Sequence, residues 1–221
     1  MGKLMVIDGL DGCGKSTQLQ LLDEALKKEG GNYKQISFPD YEQPSSALVK
    51  MYLGGDLGGS PAAVNAYAAS SFYAVDRYAS YTRFWKEEYE SGLPIVAARY
   101  TTSNAIHQMT KCPVEDWDRY LAWLEDYEYN KLGLPRPDRV VFLDMPLEVS
   151  QRLLEKRYGG DADKKDIHES DLNYLTQCRT AALYAAEKLG WIVLPCSENG
   201  EPLAPDVIHN QLFELYNSMW E

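Results

Sequence analysis

The strongest chemical signal in the sequence is the segment GLDGCGKS, residues 9–16. It satisfies the pattern G-x-x-x-x-G-K-[ST], directly after an apolar strand and directly before a helix, which is the context that the pattern requires. Its glycines allow backbone N–H groups to converge on phosphate oxygens, and the helix N-terminus adds the positive end of its dipole. We therefore predict a nucleotide phosphate site formed by Gly9, Gly12, Cys13, Gly14, Lys15, Ser16 and Thr17.

Two side chains of this loop have specific chemistry. Lys15 is expected to reach the β- and γ-phosphates, and the Ser16 hydroxyl is expected to ligate Mg²⁺. Asp8 ends the preceding strand beside the loop, so we predict it as a second metal ligand. The loop indicates a bound nucleotide without fixing the reaction, and the sequence has no NKxD motif of the kind that small GTPases use for guanine.

A second polar cluster follows a different strand. In GLPIVAARYTTSNAIHQ, residues 92–108, four apolar residues lead directly into an arginine and a run of hydrogen-bonding side chains. Tyr73 and Arg77 lie one helical turn apart in FYAVDRY, so they share a helix face. An aromatic ring, an arginine and an amide together complement the flat face and polar edge of a nucleotide base.

These side chains also allow a purely structural interpretation. Arg77 can pair with Asp76 or with glutamates on a helix surface, and Tyr73 can belong to the core. Ser103, Asn104 and Gln108 can cap or decorate the helix that follows Arg99. The phosphate loop elsewhere in the chain favours the functional interpretation.

Strands and helices alternate along the chain. Short apolar runs predict strands at residues 4–7, 34–37, 94–98, 139–144 and 191–194. Helical patterns lie between them, after the phosphate loop and at 60–92, 114–129, 146–158, about 170–189 and 206–220. This alternation predicts an α/β fold, with a parallel sheet of about five strands covered by helices on both faces, in a single domain over residues 1–221.

Composition excludes several classes of partner. The 221 residues carry a formal net charge of −11, so we expect neither a nucleic acid polymer nor an anionic membrane as a partner. No apolar run reaches the length of a membrane span. The four cysteines are scattered without CxxC spacing, which is typical of free thiols in a reducing cytoplasm, and the dispersed histidines predict no zinc site.

Several motifs together resemble one known family. VIDGLDGCGKSTQ, FPDY, FYAVDRY, ARYTTSNAIHQ and LDMPLEVSQR occur in the order found in thymidylate kinases, and the resemblance covers nearly the whole chain. It implies a three-layer P-loop NTPase sandwich with a mobile lid around residues 152–169, usually assembled as a homodimer. It also implies transfer of the γ-phosphoryl group of ATP to dTMP, with Mg²⁺, to give dTDP for dTTP synthesis.

The resemblance also assigns roles to residues. Asp11 would lie near the sugar 3′-hydroxyl and the transferring phosphate, Arg77 would donate to thymine O4, and Arg99 would bind the 5′-phosphate. The implied acceptor site consists of Asp11, Phe38, Tyr41, Tyr73, Arg77, Arg99, Ser103, Asn104 and Gln108.

The implied catalytic residues are Lys15, Asp11, Arg99, Arg152 and Arg157. In this family the catalytic basic residue comes either from the phosphate loop or from the lid. Because position 12 is glycine, we predict that the lid supplies it, with Arg157 ahead of Arg152. The alternative for the charged segment 157–169 is a solvated surface loop.

The chain departs from the family at Ala98, where an aspartate usually precedes the arginine and tyrosine. That acid helps to hold Mg²⁺ and to restrain the arginine, so its loss predicts weaker metal organisation. Asp144 also follows an apolar strand, but we expect it to serve the start of the next helix.

Three hypotheses for the function remain. They are an active dTMP kinase impaired by Ala98, a kinase for another deoxynucleotide or a deoxynucleoside, and a catalytically weakened nucleotide-binding homologue.

Overall fold

The structure is a computed structural model that describes residues 1–58, 63–158 and 172–220. The chain divides into two compact units. Unit 1 comprises Met1–Val6 and Tyr33–Asp138, and unit 2 comprises Ile7–Asn32 and Arg139–Glu221. No helix in the described ranges is both long enough and apolar enough to cross a membrane.

The main sheet has five strands in the order β2-β3-β1-β4-β5. Their bounds are β1 Leu4–Gly9, β2 Lys34–Ser37, β3 Ile95–Ala98, β4 Arg139–Asp144 and β5 Ile192–Pro195. The pairs β2–β3 and β4–β5 are both parallel. Strands β1 and β3 are buried along their entire length, as their apolar sequences require in a sheet of this kind. The predicted mostly parallel five-stranded sheet is confirmed.

Unit 1 contains the helices between β2 and β4. They are α2 Ala47–Leu53, α3 Ala66–Ser80, α4 Lys86–Glu90, α5 Thr101–His107 and α6 Trp117–Glu125. Two π-helical turns, Tyr81–Trp85 and Asp126–Lys131, extend α3 and α6. Large aromatic side chains such as Trp85, Tyr100 and Tyr120 are fully buried in this unit and form much of its core.

Unit 2 contains the phosphate loop and the C-terminal helices. Its elements beyond the sheet are α1 Lys15–Lys28, α7 Leu147–Tyr158, α8 Leu172–Leu189, the short hairpin β6 Ser197–Glu198 and β7 Glu201–Pro202, and α9 Pro205–Asn217. The apolar face predicted for α1 is buried at Leu19, Leu22 and Leu26. Helices α1 and α9 are linked by a hydrogen bond from Gln18 Nε2 to the Pro205 carbonyl, 3.0 Å long.

Two predicted boundaries were wrong. The long helix was expected from residue 60, but α3 begins at Ala66 because the Asn65 side chain accepts a hydrogen bond from the Ala68 N–H and caps it. The helix expected over 114–129 is instead a 3₁₀ turn, then α6, then a π-helical turn. Both differences arise from local hydrogen bonds, which the spacing of apolar residues in the sequence does not predict.

Candidate active site

The phosphate loop connects β1 to α1 within unit 2. Gly12 and Gly14 have φ values of 77° and 92°, in the left-handed region that side chains other than glycine rarely adopt. Gly14 is also the residue that immediately precedes α1, so the loop turns sharply into the helix N-terminus. The two glycines therefore give the backbone the curvature that the sequence motif predicts.

Gly12 has a second reason to be glycine. A Cβ atom at this position would lie 2.9 Å from both Leu154 Cγ and the Ser150 carbonyl oxygen of α7. The loop backbone therefore packs directly against α7, and any larger residue would displace one of them. This contact gives a physical reason why position 12 of this chain does not carry a basic side chain.

Lys15 lies over its own loop. Its ammonium donates hydrogen bonds to the carbonyl oxygens of Gly9, at 2.6 Å, and Leu10, at 2.8 Å. The carboxylate of Asp11 is 4.0 Å away, and the Lys15 side chain is only 13% exposed. An ammonium held inside the loop in this way is placed to exchange these carbonyl acceptors for phosphate oxygens.

The oxygen ligands predicted for Mg²⁺ belong to the same unit. Asp8 is fully buried, and its Oδ1 accepts a hydrogen bond from the Gly9 N–H, while Ser16 is exposed at the start of α1. One carboxylate and one hydroxyl are hard oxygen ligands, and Mg²⁺ usually completes its shell with water and substrate phosphates. The donor set fits the ion, and the described residues contain no group of three or more His, Cys, Asp or Glu side chains that would hold a metal alone.

The predicted lid lies mostly outside the described residues. Residues 159–171 and the side chain of Arg157 are not part of the description. Arg152 lies in α7, where its guanidinium contacts Glu201 at 3.0 Å and donates to the Gly200 carbonyl. In this arrangement Arg152 is engaged by the β6–β7 hairpin.

The expectation for Asp144 was wrong. Both of its carboxylate oxygens accept hydrogen bonds from Arg179 of α8, at 2.7 and 2.8 Å. Helix α7 begins only at Leu147. The carboxylate of Asp144, which was expected to serve the start of the helix, is therefore used in a long-range ion pair with Arg179.

Four of the predicted acceptor residues interact within unit 1: Tyr73 and its neighbours Tyr41, Arg77 and Arg99. Burial raises the pKa of Tyr73, the neighbouring Tyr52 and Tyr41 raise it further, and the positive charges of Arg99 and Arg77 act in the opposite direction. The ring of Tyr52 packs edge-on against that of Tyr73, with 6.3 Å between centroids. Residues from α2, α3 and the end of β3 thus share one region.

Arg77 is buried and its charge is compensated. It is 1% exposed, and its Nε and Nη2 donate to the two carboxylate oxygens of Glu128 at 2.7 and 2.5 Å. Nη1 donates to the Tyr100 carbonyl. Burial acts to lower the pKa of Arg77, but the Glu128 carboxylate outweighs it and raises that pKa, so the guanidinium stays charged.

Asp76 does not pair with Arg77, contrary to one structural alternative. Its carboxylate accepts hydrogen bonds from the Asp40 N–H at 2.8 Å and from the Ser45 hydroxyl at 2.6 Å. These bonds attach the FPDY segment to α3. The Phe38 N–H also donates to the Ala98 carbonyl at 3.0 Å, and the Phe38 ring lies 5.9 Å from that of Tyr100.

Arg99 occupies an unusual backbone conformation at the end of β3. Its φ is 62°, which is uncommon for a residue with a side chain. Its Nη1 lies 3.2 Å from Nε2 of His107, the last residue of α5. Because arginine has no acceptor, the imidazole accepts this hydrogen bond. Backbone strain of this sort is typical of functional positions.

The amide side chains of α5 and its end are buried. Asn104 is 2% exposed, and its Nδ2 donates to Glu128 Oε1 at 3.0 Å and to the Ser70 carbonyl at 3.2 Å. Gln108 is 4% exposed, and its Oε1 has no hydrogen-bond partner within the part of the chain that the structure describes. A buried acceptor without a partner is costly, and a ligand donor would satisfy it. Ser103 is half-buried and Tyr41 is exposed.

Glu128 is a central residue that the sequence did not reveal. It is fully buried within the second π-helical turn and contacts both Arg77 and Asn104. An isolated glutamate in the charged stretch EDYEYNK has no sequence signal for this role. Only the tertiary fold brings it to residues 51 and 24 positions away.

Comparison with known proteins identifies the family. A family model described as thymidylate kinase matches residues 7–206. The chain belongs to the thymidylate kinase family. A thymidylate kinase of Mycobacterium tuberculosis is 30% identical over 189 residues, which cover 82% of this chain and 84% of that protein. A thymidylate kinase of Rhodopirellula baltica is 27% identical over 184 residues, covering 82% and 68% respectively.

The fold is shared with a solved member of the family. The structure of thymidylate kinase from Candida albicans superposes with a TM-score of 0.71 at 21% identity, covering 98% of this chain and 92% of that one. At this identity the likeness concerns the fold alone. It confirms the P-loop NTPase sheet predicted from the order of the thymidylate kinase motifs.

Proposed function

We propose that the protein transfers the γ-phosphoryl group of ATP to dTMP, giving dTDP and ADP. The observation that carries the proposal is the thymidylate kinase match over residues 7–206, which includes both the phosphate loop and the cluster around Tyr73. The phosphate loop has the curvature and the lysine for an ATP phosphate tail. The cluster has an aromatic ring, two arginines and two buried amides, which suit a pyrimidine nucleotide.

The phosphate loop and the acceptor cluster have different tasks in this reaction. Transfer between two phosphates gathers negative charge, so catalysis depends on positioning and on cationic groups. We assign Lys15 to the β- and γ-phosphates, Arg99 to the acceptor phosphate, and Asp11 to the sugar 3′-hydroxyl and the transferring group. Arg157, with Arg152 as the second choice, remains the proposed lid residue.

We propose Mg²⁺ as the cofactor, held by Ser16 and Asp8 together with the nucleotide phosphates. When bound, the ion would neutralise charge on the phosphoryl oxygens. Gly9, Gly12, Cys13, Gly14 and Thr17 complete the proposed ATP site mainly through backbone groups. Phe38, Tyr41, Tyr73, Arg77, Ser103, Asn104 and Gln108 complete the proposed acceptor site.

We further propose a homodimer formed through α2 and α3. Leu48 and Met51 on α2 and Val75 and Tyr78 on α3 are exposed apolar side chains, each at least 40% accessible, and the two helices pack together within unit 1. Exposed apolar patches of this kind are typical of protein interfaces. Light scattering coupled to gel filtration should give twice the chain mass of 25.0 kDa, and Val75→Asp should shift it to one chain.

A cytoplasmic location is also proposed. None of the four cysteines forms a disulfide, and three of them are buried, which fits a reducing compartment. Fractionation of the native cells with antibody detection would test this.

The activity is tested with a panel of acceptors in a coupled ADP-release assay. Purified protein with ATP and Mg²⁺ should use dTMP far better than dCMP, dGMP or thymidine. Good turnover of another monophosphate or of a deoxynucleoside, without turnover of dTMP, would support the second hypothesis. Nucleotide binding without any turnover would support a homologue that has lost catalysis.

A further inference from the structure

The buried network around Glu128 determines which polar atoms Arg77 and Asn104 can offer to a ligand. Glu128 Oε1 accepts from Arg77 Nη2 at 2.5 Å and from Asn104 Nδ2 at 3.0 Å, so both side chains lie within one hydrogen bond of the same oxygen. Glu128 is itself fully buried. The three side chains therefore form one unit.

The orientation of the Asn104 amide follows from its partners. Glu128 Oε1 and the Ser70 carbonyl oxygen are both acceptors, so each requires an N–H donor. The Asn104 Nδ2 must face these two oxygens, and its Oδ1 is the amide atom that these contacts leave for other partners. At this position the amide can therefore accept a hydrogen bond from a ligand but cannot donate one.

Arg77, in contrast to Asn104, can only donate hydrogen bonds to a ligand. Three of its N–H groups are used by the two Glu128 oxygens and the Tyr100 carbonyl. Guanidinium has five N–H donors and no acceptor, so what remains is donor-only. Glu128 and its two neighbours thus present a donor beside an acceptor.

This pair matches one kind of pyrimidine edge. Thymine and uracil offer a carbonyl oxygen at position 4 and an N–H at position 3, which pair with a donor and an acceptor. Cytosine offers an amino group and a bare ring nitrogen at the same places, so it would set donor against donor and acceptor against acceptor. Sites built from buried polar groups reject such mismatches strongly, because the groups are left unpaired.

We propose that Glu128 is the positioning residue that makes the acceptor site selective for 4-oxo pyrimidine nucleotides over 4-amino ones. It acts through Arg77 and Asn104 by holding their donor and acceptor polarity. The inference rests on the proposed function, since it concerns the base of the acceptor nucleotide. Glu128 itself does not contact the nucleotide in this proposal and acts on it only through Arg77 and Asn104.

The test is a ratio of specificity constants. The purified full-length protein and its Glu128→Gln variant are assayed with dTMP, dUMP and dCMP, and kcat/KM is determined for each. Glu128→Gln leaves one acceptor oxygen in place of two and adds a competing donor, so the polarity of Asn104 is no longer fixed. We expect the dTMP-to-dCMP ratio to fall at least tenfold.

The dTMP-to-dUMP ratio is the internal control. Uracil has the same polar edge as thymine and lacks only the methyl group, so this ratio should stay within twofold. Both ratios come from one preparation and are independent of the folded fraction. Glu125→Gln, a change to a partly exposed acid three residues away that pairs with Arg136, is the matched control and should leave all ratios unchanged.

Several outcomes would overturn the inference. An unchanged dTMP-to-dCMP ratio in Glu128→Gln, or an equal loss in both ratios, would show that Glu128 has only a structural role while dTMP kinase activity stands. Where Glu128→Gln does not fold, Glu128→Asp keeps the charge but shortens the reach and should lower the same ratio. Wild-type protein that neither phosphorylates nor binds dTMP would overturn the proposed function and this inference together.

Discussion

The phosphate loop of unit 2 and the acceptor cluster of unit 1 hold their cationic side chains in different ways. In unit 2, Lys15 is satisfied by the carbonyl groups of its own loop, five and six residues away. In unit 1, Arg77 is satisfied by the carboxylate of Glu128, 51 residues away and fully buried. A ligand phosphate can displace the carbonyl oxygens from Lys15, whereas Arg77 keeps its carboxylate partner. The arrangement of Lys15 therefore suits phosphoryl transfer, and that of Arg77 suits recognition of the acceptor nucleotide by a side chain of fixed orientation.

The largest effect is expected from removing the cation of the phosphate loop. Lys15→Ala should lower kcat for phosphoryl transfer by about 10³-fold or more, because the charge on the transferring group loses its nearest compensation. The coupled ADP-release assay measures it. Lys28→Ala, the control, removes an exposed lysine at the end of α1 and should leave kcat unchanged. Full activity of Lys15→Ala would refute the phosphate-loop assignment.

In unit 1 the corresponding change should affect folding rather than only chemistry. Glu128→Ala leaves the Arg77 charge buried without its partner, which typically costs about 3–5 kcal/mol. Urea unfolding followed by tryptophan fluorescence gives the change in free energy of unfolding. Glu125→Ala breaks the exposed pair with Arg136 and should cost about 1 kcal/mol or less. Equal costs for the two variants would contradict the contrast between buried and exposed pairs.

Restoring the acid before Arg99 should have a smaller, positive effect. Ala98 closes β3 beside Ser37 and offers no carboxylate to the adjacent Arg99. Ala98→Asp should raise kcat/KM for dTMP about tenfold, the scale at which groups behind a metal ligand or phosphate-binding residue act. Ala98→Asn is the control for size. An unchanged or lower rate in the aspartate variant would show that the acid is dispensable in this chain.

The smallest effect concerns a lysine beside the acceptor cluster. Lys111 donates to the Tyr52 hydroxyl and the Val64 carbonyl, and burial lowers its pKa to about 8. The unfolded chain, where the lysine pKa is near 10.4, therefore binds more protons between these values, so stability should rise with pH across that window.

Lys111→Met removes this titration. The free energy of unfolding of the wild type, measured relative to Lys111→Met, should increase by about 1 kcal/mol between pH 8 and pH 10, since partial exposure screens the full shift. Urea melts at both pH values give the difference. A constant difference between the two proteins would contradict the depressed pKa.

Local sequence signals predicted unit 2 better than unit 1. The phosphate loop, its glycines and Lys15 lie within eight residues, so their geometry follows from the motif. The sheet strands were predicted for the same reason, because apolar runs of four to six residues mark buried strands.

The rest depended on contacts that sequence spacing does not encode. Glu128, Asp76 and Asp144 find partners 24 to 51 residues away through the tertiary fold. Asp144 was misassigned because an acid after a strand resembles a helix start, and the π-helical turn that carries Glu128 has no distinct apolar pattern.

Transfer of label from γ-³²P-ATP to dTMP tests the proposed activity most directly. The protein is incubated with labelled ATP, Mg²⁺ and dTMP, and the nucleotides are separated by chromatography. We predict that the label appears in dTDP, in an amount equal to the ADP released. Label that stays in ATP, or appears only as free phosphate, would contradict the assignment of this chain as a dTMP kinase.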